Sequence, residues 1–215
     1  MENYFTICQS VIIGAEFIAA LTAVLYFPRI KTVAYKVFAF YLIYIFSQEL
    51  YFYFFDSFLS ISKARYFTFI GFPIDYVFLY WFFAFNSLKN GKIFFVFSSV
   101  YLVSVLSEAI WGMGGVIHSF SYTIGIALLS VLLIMEFIKQ IKSDEILYFK
   151  ENKMFYITIG VILGYIGTFT FFSFNKVLYE NQRELWYMLH LFFISMNSVM
   201  YLLFAASFIW GKRQL

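Results

Sequence analysis

The sequence predicts an all-α polytopic membrane protein, a seven-transmembrane-helix bundle formed by a single domain over residues 1–215. Of the 215 residues, 63% are hydrophobic and 13% are charged, against about 25% charged residues in soluble domains, and the mean hydropathy is +0.82. Crossing a bilayer takes about 20 apolar residues in a helix. Seven stretches of that kind indicate spans near 7–27, 34–55, 66–86, 93–112, 117–138, 154–174 and 186–210.

The polar breaks between these spans hold the basic residues and predict the orientation. In chain order, the breaks after spans one, two, three, five and six and the tail after span seven contain Arg29, Lys31 and Lys36; Lys63 and Arg65; Lys89 and Lys92; Lys139, Lys142, Lys150 and Lys153; Lys176 and Arg183; and Lys212 and Arg213. Eleven of the 15 basic residues thus fall on one side. The positive-inside rule places the N-terminus outside and the C-terminus in the cytoplasm. We therefore expect a multi-pass protein of a bacterial inner (cytoplasmic) membrane. The protein's net charge of +3 suits contact of its basic residues with anionic inner-leaflet lipid, and it does not indicate nucleic-acid binding.

Small residues recur at four-residue spacing in the first and sixth spans, where they favour close helix packing. They are Ala15, Ala19 and Ala23 in the first span and Gly160, Gly164 and, on nearly the same face, Gly167 in the sixth. We expect these faces to join helices within one subunit, with a homo-oligomer through Gly160 and Gly164 as the alternative. In the third span, Pro73 lacks a backbone donor and is expected to kink the helix close to Asp75.

Six ionisable residues fall inside the predicted spans, in the half of the membrane that faces outside. They are Glu16, Glu49, Asp75, Glu108, His118 and His190. A charged carboxylate at mid-bilayer costs about 2.5–3.5 kcal/mol on insertion scales, so each of these groups needs compensation. Because they come from six different helices, they predict a shared polar interior.

Polar and aromatic residues follow two of these helices along one face. The stripe in span four is Tyr101, Ser104, Glu108 and Trp111, and the stripe in span seven is Trp186, His190, Asn197 and Tyr201. Lipid cannot satisfy such stripes, so we infer an acidic, aromatic-lined pocket that opens outside. Its candidate ligand-binding residues are Glu16, Glu49, Asp75, Glu108, Trp111, His190, Asn197 and Tyr201.

A structural interpretation of the same residues stays open. Carboxylates within a bundle can be protonated, or hydrogen-bonded to hydroxyl groups, and then serve only to orient a helix. Interfacial or structural roles are equally open for His118 and His190. Glu136, close to Lys139 and Lys142, is expected at the surface.

The first functional hypothesis is a membrane sensor, receptor or signalling accessory. An acidic pocket lined by Tyr and Trp favours a cation or an amine, through carboxylates and cation–π contacts. Helix shifts can report its occupancy at the cytoplasmic face. Because the breaks are too short for a kinase or cyclase domain, we expect the signal to pass to a separate cytoplasmic or membrane partner. The sequence requires no cofactor for this function, and a divalent metal enters only under the hydrolase alternative.

Two other functions stay open. A membrane-embedded hydrolase of lipids or amides would hold a divalent metal on Glu108, His118 and His190. However, Ile194 stands where ceramidase-type seven-span hydrolases carry the second histidine of an H-x-x-x-H motif. A transporter of a small solute or cation is the third hypothesis, and Gly71-Phe72-Pro73 is the interrupted segment that it would use.

Several segments resemble uncharacterised bacterial seven-span proteins. They are Lys142-Ser143-Asp144-Glu145-Ile146-Leu147, Lys150, and Phe155-Tyr156-Ile157 leading to Gly160, Tyr165 and Gly167, together with Gln48-Glu49-Leu50 and Phe208-Ile209-Trp210. Those proteins are similar to stand-alone seven-span sensor modules of bacterial kinases. The resemblance implies a signalling role, by analogy of fold.

Overall fold

The structure, a computed structural model, describes residues 2–55, 62–110, 120–143 and 145–212. Nearly all of these residues are helical, and none of them belongs to a β-strand. Within this described part of the chain, six helices are long and apolar enough to cross a membrane: Thr6–Arg29, Val33–Phe54, Phe67–Ser87, Gly91–Ile110, Phe120–Lys142 and Arg183–Ile209. The described residues thus form a helical protein of the multi-pass membrane type, and the six helices coincide with six of the seven predicted spans.

The α-helices follow one another with few irregular residues between them. Numbered in chain order, they are α1 (Glu2–Tyr26), α2 (Val33–Phe55), α3 (Lys63–Tyr66), α4 (Phe72–Tyr80), α5 (Gly91–Ile110), α6 (Phe120–Lys142), α7 (Lys153–Val161), α8 (Phe169–Asn181) and α9 (Arg183–Ile209). Wider, π-helical segments are Phe67–Gly71, Trp81–Ser87 and Ile162–Ile166. Tighter, 3-10 segments are Phe27–Arg29 and Glu145–Glu151.

The third predicted span is helical but irregular. The π-helical segment Phe67–Gly71 leads into α4, and a second one, Trp81–Ser87, follows it. Pro73 lies inside this helical stretch, because Gly71 and Phe72 before it also have helical dihedral angles. A π-helical segment thus directly precedes the proline, and the kink expected close to Asp75 stays a prediction.

The sixth predicted span is interrupted. α7 widens into the π-helical segment Ile162–Ile166 and ends at a turn formed by Gly167 and Thr168, after which α8 begins. The Thr168 hydroxyl donates to the Gly164 carbonyl, which satisfies one acceptor at this helix end. The sequence predicted a continuous helix over 154–174, but the apolar helix Lys153–Ile166 is shorter than the other six. A seventh crossing therefore stays a prediction.

The chain divides into two compact units. Unit 1 comprises Met1–Tyr53 and Gln140–Leu215, and unit 2 comprises Phe54–Lys139. In unit 1, α9 is the central helix, because α1, α7 and α8 all pack against it. Its Phe204 and Phe208 rings contact the ring of Phe38 in α2, with centroids 5.2 and 5.9 Å apart.

Small residues lie where the helices of unit 1 meet. A Cβ atom added to Gly160 would lie 2.9 Å from Phe204 Cε1 and 3.3 Å from the Met200 carbonyl oxygen, and Gly164 faces the Met200 side chain. This face of α7 thus contacts α9 of the same chain, and a homo-oligomer through it would have to displace α9. The small residues of α1, which packs along α9, are buried as well: Ala15, Ala19 and Ala23.

Large apolar side chains are exposed along the outside of the long helices. Examples from four of them are Leu25, Phe40, Phe95, Val103, Ile110 and Leu191. Apolar surface of this extent marks contact with a membrane or another protein. Its spread along helices of spanning length is typical of lipid contact.

Gly160 gives a direct test of the α7–α9 packing. We expect Gly160→Leu to lower the free energy of unfolding by about 1–3 kcal/mol, because the added side chain meets the α9 backbone. Thermal unfolding in detergent measures the change. Gly14→Leu is the matched control, since a Cβ added at Gly14 has no atom within 4 Å beyond the adjacent residues and backbone of its own helix. Equal melting temperatures for the two variants would contradict the close contact.

Candidate functional site

The residues predicted for the site fall in both units, and the structure locates seven of them. Asp75 and Glu108 belong to unit 2, and the members in unit 1 are Glu16, Glu49, His190, Asn197 and Tyr201. Trp111 and His118 lie outside the described residues. Each unit therefore offers its own set of polar groups.

Glu108 in unit 2 caps the start of a neighbouring helix. Its side chain is 3% exposed, and its Oε2 accepts from the Ser121 backbone N–H at 3.2 Å and from the Ser121 hydroxyl at 2.6 Å. Ser121 is in the first turn of α6, where backbone N–H groups have no intrahelical acceptor and the helix dipole favours an anion. No hydrogen bond to Glu108 Oε1 comes from the described residues.

Four buried tyrosines form a cluster in the same unit. Tyr76 and Tyr80 come from α4, Tyr101 from α5 and Tyr122 from α6. The Tyr101 ring lies 4.9 Å from the Tyr76 ring and 6.0 Å from the Tyr80 ring, and Tyr76 lies 6.1 Å from Tyr122. The Tyr80 hydroxyl donates to the Gly125 carbonyl at 2.9 Å. These contacts join α4, α5 and α6.

Two of the predicted carboxylates belong to the helices that form this cluster. Asp75 directly precedes Tyr76 in α4, and Glu108 of α5 accepts from Ser121, which directly precedes Tyr122 in α6. Asp75 is half-buried in α4, within the continuous helical span Phe67–Ser87. We name Asp75, Glu108, Ser121 and the four tyrosines Tyr76, Tyr80, Tyr101 and Tyr122 the acid–tyrosine cluster.

His190 in unit 1 lies among aromatic rings. Its Nδ1 is hydrogen-bonded to the Tyr4 hydroxyl at 3.1 Å, and its ring stacks on Trp186 with centroids 4.8 Å apart. Phe171 of α8 adds a third ring at 5.5 Å. Burial raises the pKa of Tyr4, which precedes the first predicted span, to about 12. Its phenol therefore stays neutral, and the His190 cluster ties the start of α1 to α8 and α9.

The other candidate residues of unit 1 have contacts or burial of their own, apart from the rings described around His190. The Asn197 side chain donates to the Phe193 carbonyl of its own helix at 2.9 Å, and Tyr201 is buried against Phe204. Glu16 is buried in α1, whereas Glu49 in α2 is half-buried. Asn197 and Tyr201 thus contribute to α9 and its packing.

Glu136 is not a surface residue, and the expectation that it would be exposed is wrong. Its side chain is 0% exposed. Ser87 donates to Glu136 Oε2 at 2.6 Å, while Lys139 donates to the Ser87 carbonyl and hydroxyl at 3.0 and 2.8 Å. Lys139 Nζ also lies 3.9 Å from Glu136 Oε1. This network binds the end of the segment Trp81–Ser87 to α6.

Metal-binding geometry is a further property that the hydrolase hypothesis requires. Among the residues that the structure describes, no three His, Cys, Asp or Glu side chains lie close enough to share a metal ion. Of the proposed ligands, Glu108 and His190 belong to different units, and His118 lies outside the described residues.

The sequence singles out Asp75, Glu108 and Tyr101 but not Ser121, Tyr76 and Tyr80 of the same cluster. Ser121 follows the short break between spans four and five, and its proximity to Glu108 depends on where α6 begins. Tyr76 and Tyr80 stand one and five positions after Asp75, and this i, i+4 pair beside a membrane carboxylate was the available signal.

Comparison with known proteins adds no relative. The chain matches no protein-family model, no curated protein and no solved structure.

Ser87 tests the network around Glu136. We expect Ser87→Ala to lower the free energy of unfolding by about 1–3 kcal/mol, because a buried carboxylate loses a hydrogen-bond donor. The control is Ser130→Ala in α6, whose hydroxyl donates only to the Ile126 carbonyl of its own helix. Denaturation of both variants in the same detergent measures the difference, and a Ser87→Ala protein as stable as Ser130→Ala would refute the assignment.

Proposed function

We propose that this chain is a membrane sensor or signalling accessory that recognises a small organic cation at the acid–tyrosine cluster and relays its binding to a separate partner. The observation that supports this most directly is the environment of the Glu108 carboxylate. It is a buried carboxylate on a spanning helix, and only one of its two oxygens accepts hydrogen bonds from described residues.

The chemistry of the cluster favours an amine. An ammonium group can donate to a carboxylate oxygen and lie against tyrosine faces, a contact that contributes about 0.5–2 kcal/mol. Asp75 is a second carboxylate on the helix that carries Tyr76 and Tyr80. With the predicted orientation, Glu108 lies near the outer end of α5, so the cation would come from outside.

The relay would use the two helices that join the acid–tyrosine cluster to the Glu136 network. α6 begins beside Glu108 and ends beyond Glu136, and the segment after α4 ends at Ser87. Both segments around α4 are π-helical, a geometry that is common at functional sites. A shift of Ser121 would reach Lys139 along α6, and a shift of Tyr80 would reach Ser87 along the segment Trp81–Ser87 that continues α4.

Binding of alkylammonium probes tests the proposal. In detergent, tetramethylammonium and butylammonium chloride, compared with sodium chloride at equal ionic strength, should raise the melting temperature of the wild type. Glu108→Gln keeps the side-chain shape and removes the charge, so we expect the apparent affinity to fall about tenfold or more. Glu184→Gln, an exposed position in the first turn of α9, should leave it unchanged. Equal responses of Glu108→Gln and Glu184→Gln would refute the proposal.

A transporter is the second candidate, and the interrupted helix between α7 and α8 favours it. Broken helices at mid-membrane are a common feature of transporters, and the sixth predicted span is interrupted at the two-residue turn of Gly167 and Thr168, although both keep dihedral angles in the helical region. Uptake of labelled tetramethylammonium into proteoliposomes separates the candidates. The sensor hypothesis predicts no uptake above empty vesicles, whereas saturable uptake that Glu108→Gln abolishes would select the transporter.

A further inference from the structure

A basic cavity lies at the end of unit 1 where α1 and α9 finish and α7 begins. Its volume is about 520 Å³, within the range of small-ligand sites. The residues that line it are Tyr26, Arg29, Lys31, Lys153, Phe208, Ile209, Gly211 and Lys212. Four of the eight are cationic and none is acidic, so the wall attracts an anion.

Lys153 is the least explained of these cations. Its side chain is 4% exposed, and its Nζ lies 5.5 Å from the ring centroids of both Tyr35 and Phe208. No described carboxylate lies within ion-pair distance of it. Taking an ammonium partly out of water without a counter-charge is costly, and two cation–π contacts offset only part of that cost.

The position of Lys153 on its helix adds to this cost. Asn152 caps α7 by accepting from the Met154 and Phe155 backbone N–H groups, so Lys153 is the first helical residue. A cation at a helix N-terminus is unfavourable, because that end carries the positive pole of the helix dipole. Burial lowers the pKa of the Lys153 ammonium, which precedes the predicted span over 154–174.

Close packing holds Lys153 in this place. A Cβ atom on Gly211 would collide with the Lys153 Cγ atom and with the Ser207 carbonyl, so only glycine lets the end of α9 lie against the lysine stem. A stability role alone does not account for a cation that is buried, at the wrong helix end and away from carboxylates. An anion bound in the cavity would supply the counter-charge that Lys153 lacks among the described carboxylates, and it would also suit the positive end of the helix dipole.

We infer that this cavity binds a phosphate group, held by the charges of Arg29, Lys31 and Lys153. Arg29, whose guanidinium lies 5.1 Å from the Tyr26 ring centroid, offers the planar fork that matches phosphate oxygens, and the lysines add point charges. Lys212 is a further cation of the wall, and its Nζ lies 3.8 Å from Glu151 Oε1 in an exposed pair.

Two sources could supply the phosphate. In the predicted orientation the cavity faces the cytoplasmic leaflet, whose anionic lipids attract basic residues, and Ile209 in its wall is 42% exposed, which suits an acyl chain. A soluble phosphate compound of the cytoplasm is the other source. The chemistry of recognition is the same for both.

Two arms with the full-length protein separate the sources. In one arm, the protein is extracted from phosphatidylcholine nanodiscs that contain phosphatidylglycerol, and native mass spectrometry counts the phosphatidylglycerol molecules that stay bound to it. Nanodiscs without phosphatidylglycerol give the background. In the other, thermal unfolding in detergent compares sodium phosphate with sodium chloride at equal ionic strength. Arg29→Gln/Lys31→Gln and Lys153→Met should weaken binding of at least one probe about tenfold, because charge-assisted hydrogen bonds are lost.

The matched control is Lys89→Gln/Lys92→Gln, which removes the same charge from exposed positions of unit 2 and should stay within about twofold of the wild type. Loss in the lipid arm assigns a phospholipid, and loss in the phosphate arm assigns a soluble compound. Cavity variants that match the control in both arms overturn the inference. If Lys153→Met does not fold, the Arg29 and Lys31 pair, both exposed, still decides. The amine response of Glu108 in unit 2 is a separate property, so either proposal can fail alone.

Discussion

The absence of water from the bilayer core is the constraint on which the rest of this structure depends. Every polar group inside the spans needs a partner from the chain itself. Helices satisfy the backbone, and hydroxyl groups bond back to carbonyls of their own helix, as Ser10, Thr22, Ser130 and Ser195 do. Charged residues have no such local solution, so their surroundings separate structural from functional groups.

Glu136 and Glu108 show the two outcomes. Glu136 is fully buried, and Ser87 and Lys139 supply a donor and a counter-charge, which describes a structural contact. Glu108 is equally buried, yet it uses one oxygen to cap α6 and leaves the other without a described donor. Lys153 is the cationic counterpart in unit 1, since its described contacts are aromatic rings. The two proposals rest on these two residues.

Much of the fold could be predicted, because the length of an apolar stretch is a local property. Six spans coincide with helices for this reason. The interruption at Gly167 and Thr168 could not be placed, because glycine is frequent in membrane helices and often serves packing alone. The burial of Glu136 was missed because its partner Ser87 is 49 positions away. Nearby lysines suggested a surface position instead.

The sites were harder to predict than the helices. Membrane carboxylates pointed to Asp75 and Glu108, because an acid inside a span needs compensation, but the tyrosines around them depend on how three helices pack. The basic cavity could not be predicted, because its cations are the same residues that indicate the membrane orientation. Arg29, Lys153 and Lys212 come from distant segments, and each of them alone is typical of a cation beside the inner leaflet.

Both proposals take the side from which their ligand comes from the predicted membrane orientation, and cysteine labelling measures that orientation most directly. In a Cys8→Ala background, single cysteines at Lys31 and at Gln182, both exposed positions of unit 1, would be treated with a membrane-impermeant thiol reagent. The account predicts labelling of Gln182→Cys in intact cells and of Lys31→Cys only after permeabilisation. Labelling of both from the same side, or the reverse pattern, would contradict it.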